Sequence, residues 1–389
     1  MNIRPEIIAR QGELSAIRRD IHRHPETAFE EVRTAAIVAE RLAAACIEVH
    51  QGLATTGVVG TLRAGSGNRA IGLRADMDAL NLTEHNGFDH CSIHHGKMHG
   101  CGHDGHTTML LGAAEHLAAN PSFDGTIHFI FQPAEEGPGG APVMIEEGLF
   151  ERFPVDSVYG MHNMPGIPAG QIAVTPGPAM AAADLLAITV RGVGGHAAMP
   201  HLAVDPVLAA AAIVVGLQSV VSRSTDPLKS AVVSVTMMAA GEASNIIPDS
   251  ATITASVRAF SNAMRDHIEE SATRIATGIA AAHGATAEVV YGRGYPATVN
   301  HPEESDIAVR AAAATVGADN VLHNFPPLMG SEDFAYMLEA VPGCYVFIGN
   351  GSDSVGGCAL HNPHYDFNDE ILVTGVRFWI NLVQQQLSS

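Results

Sequence analysis

Basic and aromatic residues are both scarce in this 389-residue chain, cysteines are few, and no apolar run is long and uninterrupted enough to span a bilayer. Lys and Arg total 21 against 41 Asp and Glu, a formal net charge of −20 at pH 7. Such a field repels phosphate backbones and anionic lipid surfaces, which excludes nucleic acid and membranes as expected partners. The five cysteines, Cys46, Cys91, Cys101, Cys344 and Cys358, are an odd set at irregular spacing, which argues against a disulfide framework. Residues Met1 to Glu6 lack the apolar core of a signal peptide, and the expectation is a cytoplasmic protein. Asn81-Leu82-Thr83 and Asn350-Gly351-Ser352 match the glycosylation pattern, which means nothing without secretion.

What is present suits a compact α/β enzyme: 47% hydrophobic residues, 39 Gly and 21 Pro. The length exceeds what one core usually supports, so two domains are expected. Helical periodicity runs from Ile7 to Ile21 and from Val32 to Ala45. Short apolar runs at 57–62, 70–75, 126–131 and 157–161 read as strands, with a helix at 107–119 between two of them, which favours a central, largely parallel sheet flanked by helices. Beyond Asp184 the order becomes strand 185–190, helix 206–221, strands 231–237 and 251–260, helix 264–283 and strand 287–291. This βαββαβ order predicts a smaller α+β domain over 184–292, inserted into a discontinuous catalytic domain of 1–183 and 293–389.

Seven of the 21 histidines fall between His85 and His106, and the segment ends in Cys101-Gly102-His103-Asp104-Gly105-His106. Thiolate and imidazole are the usual ligands of zinc-like divalent ions, and the glycines let side chains two residues apart converge on one ion. No second Cys or His pair lies at the short spacing of a structural zinc knot, which favours a catalytic metal. Gln132-Pro133-Ala134-Glu135-Glu136-Gly137 follows one strand and His162-Asn163 follows another. Ligands bind at the carboxyl ends of strands in open α/β sheets, so Cys101, His103, Glu136 and His162 can converge there. Two adjacent carboxylates invite a division of labour, one on the metal and one moving protons. Gly192-Val193-Gly194-Gly195-His196-Ala197 mimics a dinucleotide-binding loop, but Pro200 and Pro206 interrupt the helix that should follow it.

Several stretches occurring in one order are similar to the dinuclear metallopeptidase and aminoacylase clan. They are Arg19 to Glu26, Leu73 to Leu80, the Cys101 cluster, Gln132 to Gly137, Gly195 to His201, Asn245 to Asp249, Gly330 to Phe334 and His361 to His364. The chain most resembles the amidohydrolase branch, which includes hippurate hydrolases, N-acyl amino acid deacetylases and plant indole-3-acetyl amino acid hydrolases. The resemblance implies two divalent ions per subunit, of manganese, zinc, cobalt or nickel, held by Cys101, His103, Glu136, His162 and His361, with Glu135 as general base and Asp78 orienting a ligand. It further implies that 184–292 is a dimerisation or lid domain in a homodimer or homotetramer. His196 would stabilise the oxyanion, while Asn245 and Arg258 grip the substrate carboxylate. Asp76 stands where other peptidase relatives carry a ligand histidine, so the ligand set rests on Cys101.

The expected activity is hydrolysis of the amide in N-acyl amino acids, with Leu202, Phe325, Leu328 and Met329 as guesses for the acyl pocket. The alternatives are a dipeptide hydrolase of the same clan, a non-catalytic metal-binding or ligand-binding protein, and a thiol enzyme with Cys101 as nucleophile beside His103 and Asp104. The last is disfavoured because residues two apart seldom reach nucleophile–base geometry.

Overall fold

The computed structural model describes residues 5–353 and 356–388; Met1–Arg4, part of the stretch read above for a signal peptide, lies outside them. The chain divides into two compact units, one of Met1–Ala179, Val299–Pro326 and Asp333–Ser389, the other of Met180–Thr298 and Pro327–Glu332. Segment 327–332, expected with the catalytic part, therefore falls in the smaller unit, where the Ala181 amide donates to the carbonyls of Leu328 and Gly330.

The larger unit is built on an eight-stranded sheet in the spatial order Glu48–Leu53, Gly57–Ala64, Gly125–Gln132, Ala70–Asp76, Ser157–Pro165, Gly343–Gly351, Ile172–Val174, Val321–His323. The four strands from Gly125–Gln132 to Gly343–Gly351 run parallel, with antiparallel pairings on either side. Parallel strands are covered on both faces, so they read as nearly continuous apolar runs such as Ile127, Phe129, Ile130 and Phe131. Gly343–Gly351, buried at every position, is a central strand that the sequence reading did not name. Helices Val32–Ala44, His103–Ala119, Pro302–Val316 and Leu372–Gln386 pack into the same core as the sheet.

Three boundaries differ from expectation. The first helical stretch breaks at Ala9–Arg10 into Pro5–Ile8 and Gln11–Arg23. The helix expected at 107–119 begins at His103, because Gly102 takes the left-handed conformation (φ +90°) and turns the chain. A Cβ there would lie 2.2 Å from Asn163 Oδ1, so glycine is required. His162 lies inside the strand Ser157–Pro165 rather than after it.

The smaller unit is a four-stranded antiparallel sheet in the order Ala231–Ala240, Ser250–Ala259, Ala182–Arg191, Thr286–Arg293, with helices Pro206–Ser219 and Asn262–Ala282. Its core gathers Leu186, Ile188, Ile213, Leu217, Ile253 and Ile268. The Pro206–Ser224 helical segment, 19 residues, is long and apolar enough to cross a membrane by length and composition, which corrects the reading that no run is. That stretch carries no charge until Arg223, and only Pro206, Ala209, Ala210, Ile213 and Leu217 of Pro206–Ser219 are buried.

Candidate metal centre

Parallel neighbours place their carboxyl ends side by side. Ala70–Asp76 runs into Met77-Asp78, Gly125–Gln132 into Pro133–Gly137, and Ser157–Pro165 presents His162 near its end. The first turn of His103–Ala119 arrives at the same edge through the Gly102 turn.

The five expected ligands meet there in overlapping sets. The ligand atoms of Cys101, His103 and His162 lie within 4.8 Å of one another, as do those of Cys101, Glu136 and His361, and those of His103, Glu135 and Glu136. Cys101 Sγ is 3.4 Å from His162 Nε2, and His361 Nε2 is 2.9 Å from Glu136 Oε1. Each buried imidazole is oriented through its other nitrogen. His162 Nδ1 pairs with the Asn163 carbonyl at 2.6 Å and His103 Nδ1 with Asp78 Oδ1 at 3.1 Å. Asp78 Oδ2 accepts the Glu136 amide at 2.8 Å, so this carboxylate ties two prospective ligands together. His103 Nε2 is buried without a hydrogen-bond partner, 3.9 Å from Asp76 Oδ2, on a ring grouped with a thiol, a carboxylate and a second imidazole. Such an orphan is costly to bury, and a divalent cation bound by nitrogen, sulfur and oxygen would resolve it, so the residues fit a metal.

The electrostatics agree. Burial, then the charges of Glu136, Glu135 and Asp76, push the Cys101 thiol well above its ordinary range, so it ionises only when a cation is supplied. Burial opposes charge on His103, yet Asp76, Asp78 and Glu136 hold it up to about 10. Burial and the neighbouring His106 keep His162 neutral.

Behind the ligands stand residues to which the sequence reading gave no role in the site. His106 Nδ1 bonds Asp76 Oδ1 at 2.6 Å, and Asp76 Oδ2 accepts Arg74 Nη1 at 2.5 Å. Arg74 also reaches Asp333 at 3.1 Å, and Gln132 Nε2 donates to both Asp333 oxygens at 2.8 Å. Asp76 is thus an anion that Arg74 and two histidines hold well below the usual carboxylate range against its burial. The available signals were His106, one helical turn after His103, and the stretches Leu73 to Leu80, Gln132 to Gly137 and Gly330 to Phe334, which hold the other four.

A second buried network braces the same helix. His22 Nδ1 bonds Asp104 Oδ2 at 2.8 Å, and Arg18 pairs with Asp366 at 2.8 Å and Asp369 at 2.6 Å. Burial opposes charge on His22, but Asp104 and Glu84 raise it from 6.5 to about 9. A raised histidine stabilises the fold fully below its unfolded value of 6.5, and this contribution is lost as pH rises through about 9. The loss is on the order of 3 kcal/mol. Metal-free wild-type protein should therefore lose stability between those pH values, and His22→Gln should flatten the slope in urea titrations; equal slopes in the two proteins would remove His22 from the account.

The remaining expected residues lie in the smaller unit. His196 pairs with Ile246 across a two-stranded ladder, its Nδ1 accepts the Ala198 amide at 3.0 Å, and the Asn245 carbonyl accepts the Ala197 amide. His196 and Asn245 both line a hollow of about 460 Å³ with Gly194, Pro248 and Asp249. Arg258 does not line it; its guanidinium donates to the Val257 carbonyl at 3.0 Å. Of the guessed pocket walls, Leu202, Leu328 and Met329 belong to this unit and Phe325 to the larger. Of the other histidines between His85 and His106, His85, His94 and His95 are exposed, whereas His90 is half-buried, stacked on Phe88 and paired with Asp366.

The family model for peptidase family M20/M25/M40 matches residues 72–385. The chain is 44% identical to the hippurate hydrolase of Campylobacter jejuni, over 100% of both chains. It is 38% identical to the IAA-amino acid hydrolase ILR1-like 4 of Arabidopsis thaliana, over 95% of this chain and 85% of the relative. Among solved structures, the Bacillus subtilis YXEP protein, described as a dinuclear metal-binding peptidase, superposes with a TM-score of 0.86 at 34% identity, over 97% of this chain and 98% of that one. With its ligand-bearing strand ends and a family match over most of its length, the chain belongs to peptidase family M20/M25/M40.

Proposed function

We propose that this chain is a metal-dependent amidohydrolase that uses water to split N-acyl amino acids into a carboxylate and a free amino acid. The observation that supports it most is the buried His103, whose Nε2 makes no hydrogen bond and whose ring lies within reach of Glu135 and Glu136. Cys101, His103, Glu136, His162 and His361 would hold two divalent ions, and the set suits zinc, manganese, cobalt or nickel. Bound there, such ions lower the pKa of water and polarise the scissile carbonyl. Glu135 takes the proton of the attacking water and returns it to the leaving nitrogen. Asp78 fixes the His103 tautomer, as outer partners of metal-bound histidines do. His196 hydrogen-bonds the developing oxyanion, and Asn245 and Arg258 hold the substrate carboxylate.

The test is amino acid release from N-benzoyl, N-acetyl and N-indole-3-acetyl amino acids by protein loaded with one divalent metal at a time. Turnover of at least one acyl series is expected, and none from any would sink the reading. The peptidase description of the solved relative favours dipeptides as the second substrate class, and the same assay with dipeptides separates the two.

In this reading the enzyme is a homodimer joined through the smaller unit. Val215 and Leu208 of helix Pro206–Ser219 are 74% and 57% exposed, and Met237 is 67% exposed on the edge strand Ala231–Ala240. An unpaired edge beside exposed apolar residues favours pairing with a second copy. His196 would then serve the partner's site. Mixing inactive Glu135→Gln chains with inactive His196→Ala chains should restore part of the activity; no recovery would place His196 in cis. The five free cysteines are compatible with a reducing, cytoplasmic setting.

A further inference from the structure

Glu31 lies outside every stretch that carried the resemblance, yet its carboxylate is fully buried beside the catalytic loop. Oε1 accepts the Phe29 amide at 3.1 Å and the Ala134 amide at 2.9 Å, and Oε2 accepts the Thr56 hydroxyl at 2.6 Å. Three chain segments therefore meet on one side chain. All of them are strained. Among the described residues only seven non-glycine residues have positive φ, and four belong to these segments: Phe29 (62°), Ala54 (47°), Thr55 (72°) and Ala134 (55°). A side chain disfavours this region because Cβ crowds the following carbonyl, so the conformation persists only where its surroundings enforce it.

Ala134 immediately precedes Glu135 and Glu136. Its carbonyl accepts the Gly140 amide at 2.9 Å, a contact within its own loop, while its amide is held by Glu31 from 103 residues away. Two residues on, the Glu136 amide is held by Asp78. The turn that carries the two adjacent carboxylates is thus pinned on both sides by buried acids. Burial, eased by the Thr56 bond, raises Glu31 to about 7, and the protonated form still offers an oxygen to the Ala134 amide.

We propose that Glu31 is a positioning residue: by accepting the Ala134 amide it holds Ala134 left-handed and so presents Glu135 as base and Glu136 as ligand. This rests on the amidohydrolase reading, which wild-type turnover judges first and separately. In metal-loaded protein, Glu31→Ala should lower kcat about 100-fold, the scale of a 1 Å misplacement. KM should stay within about threefold, since only the reacting geometry changes. Glu31→Gln keeps an accepting oxygen and should recover kcat to within about tenfold of wild type. Thr56→Val removes a bond to Glu31 that does not reach Ala134; it should lower the melting temperature and leave kcat within about threefold. Hydrogen exchange gives a readout independent of turnover: the Ala134 amide is protected in wild type and exchanges freely in Glu31→Ala. If that variant does not accumulate folded, Glu31→Asp, whose shorter reach withdraws the oxygen, takes its place with the same expectations. A folded Glu31→Ala or Glu31→Asp with wild-type kcat, an Ala134 amide still protected in it, or a Thr56→Val loss as large as that of Glu31→Ala would each overturn the latch.

Discussion

Glu135→Gln should keep its metal and lose turnover, with kcat falling about 10³-fold, inside the span of about 10²–10⁴ that proton transfer by a positioned side chain supplies. Glutamine has the shape of glutamate but cannot take a proton from water. Glu135 is 6% exposed, and its ligand atom lies within 4.8 Å of those of His103 and Glu136. An isosteric change should leave those neighbours in place, so KM stays close to wild type while kcat collapses. Metal content measured beside turnover of an N-benzoyl amino acid separates the outcomes. Retained metal with lost turnover identifies a base. Loss of metal would make Glu135 a ligand, and kcat within about tenfold of wild type would move the base elsewhere.

Chelation should abolish activity altogether, and one divalent ion resupplied should restore it. The folded chain without metal holds protons where a metal would bind: Cys101 is a thiol raised by burial and by three carboxylates, and His103 retains its proton up to about 10. Metal must displace both protons, so binding releases acid and the apparent affinity strengthens as pH rises towards about 10. Calorimetry in two buffers of different ionisation heat counts those protons. Stability follows occupancy, by about 4 kcal/mol when free metal is about 1,000 times its dissociation constant. A thiol enzyme would ignore the chelator and die on alkylation. The raised thiol already weighs against that alternative, because only thiolate is nucleophilic.

Much of the site was legible because metal chemistry is written in residue types. A thiol and imidazoles among glycines, two adjacent glutamates and a histidine beside an apolar run are local patterns, and the parallel sheet brings its strand ends together by a general rule. The βαββαβ order was legible for the same reason, since periodicity is local. What stayed hidden depends on contacts between distant segments. Arg74 and Asp333 are 259 residues apart, and Glu31 and Ala134 are 103 apart. Arg74 stands in a stretch that carried the resemblance and Glu31 in none, yet neither showed its role, because a buried charge acquires meaning only from its partner. The start of the ligand helix at His103 likewise depended on Gly102 packing against Asn163 and Tyr365. The sequence by itself determined the family, the candidate donor residues and the kind of sheet that gathers them. Only the tertiary structure decided which nitrogen of His103 and His162 is tied back by a hydrogen bond and which buried acids accept the amides around the carboxylate pair. Those choices are made by hydrogen bonds across long loops, whose partners no local pattern specifies.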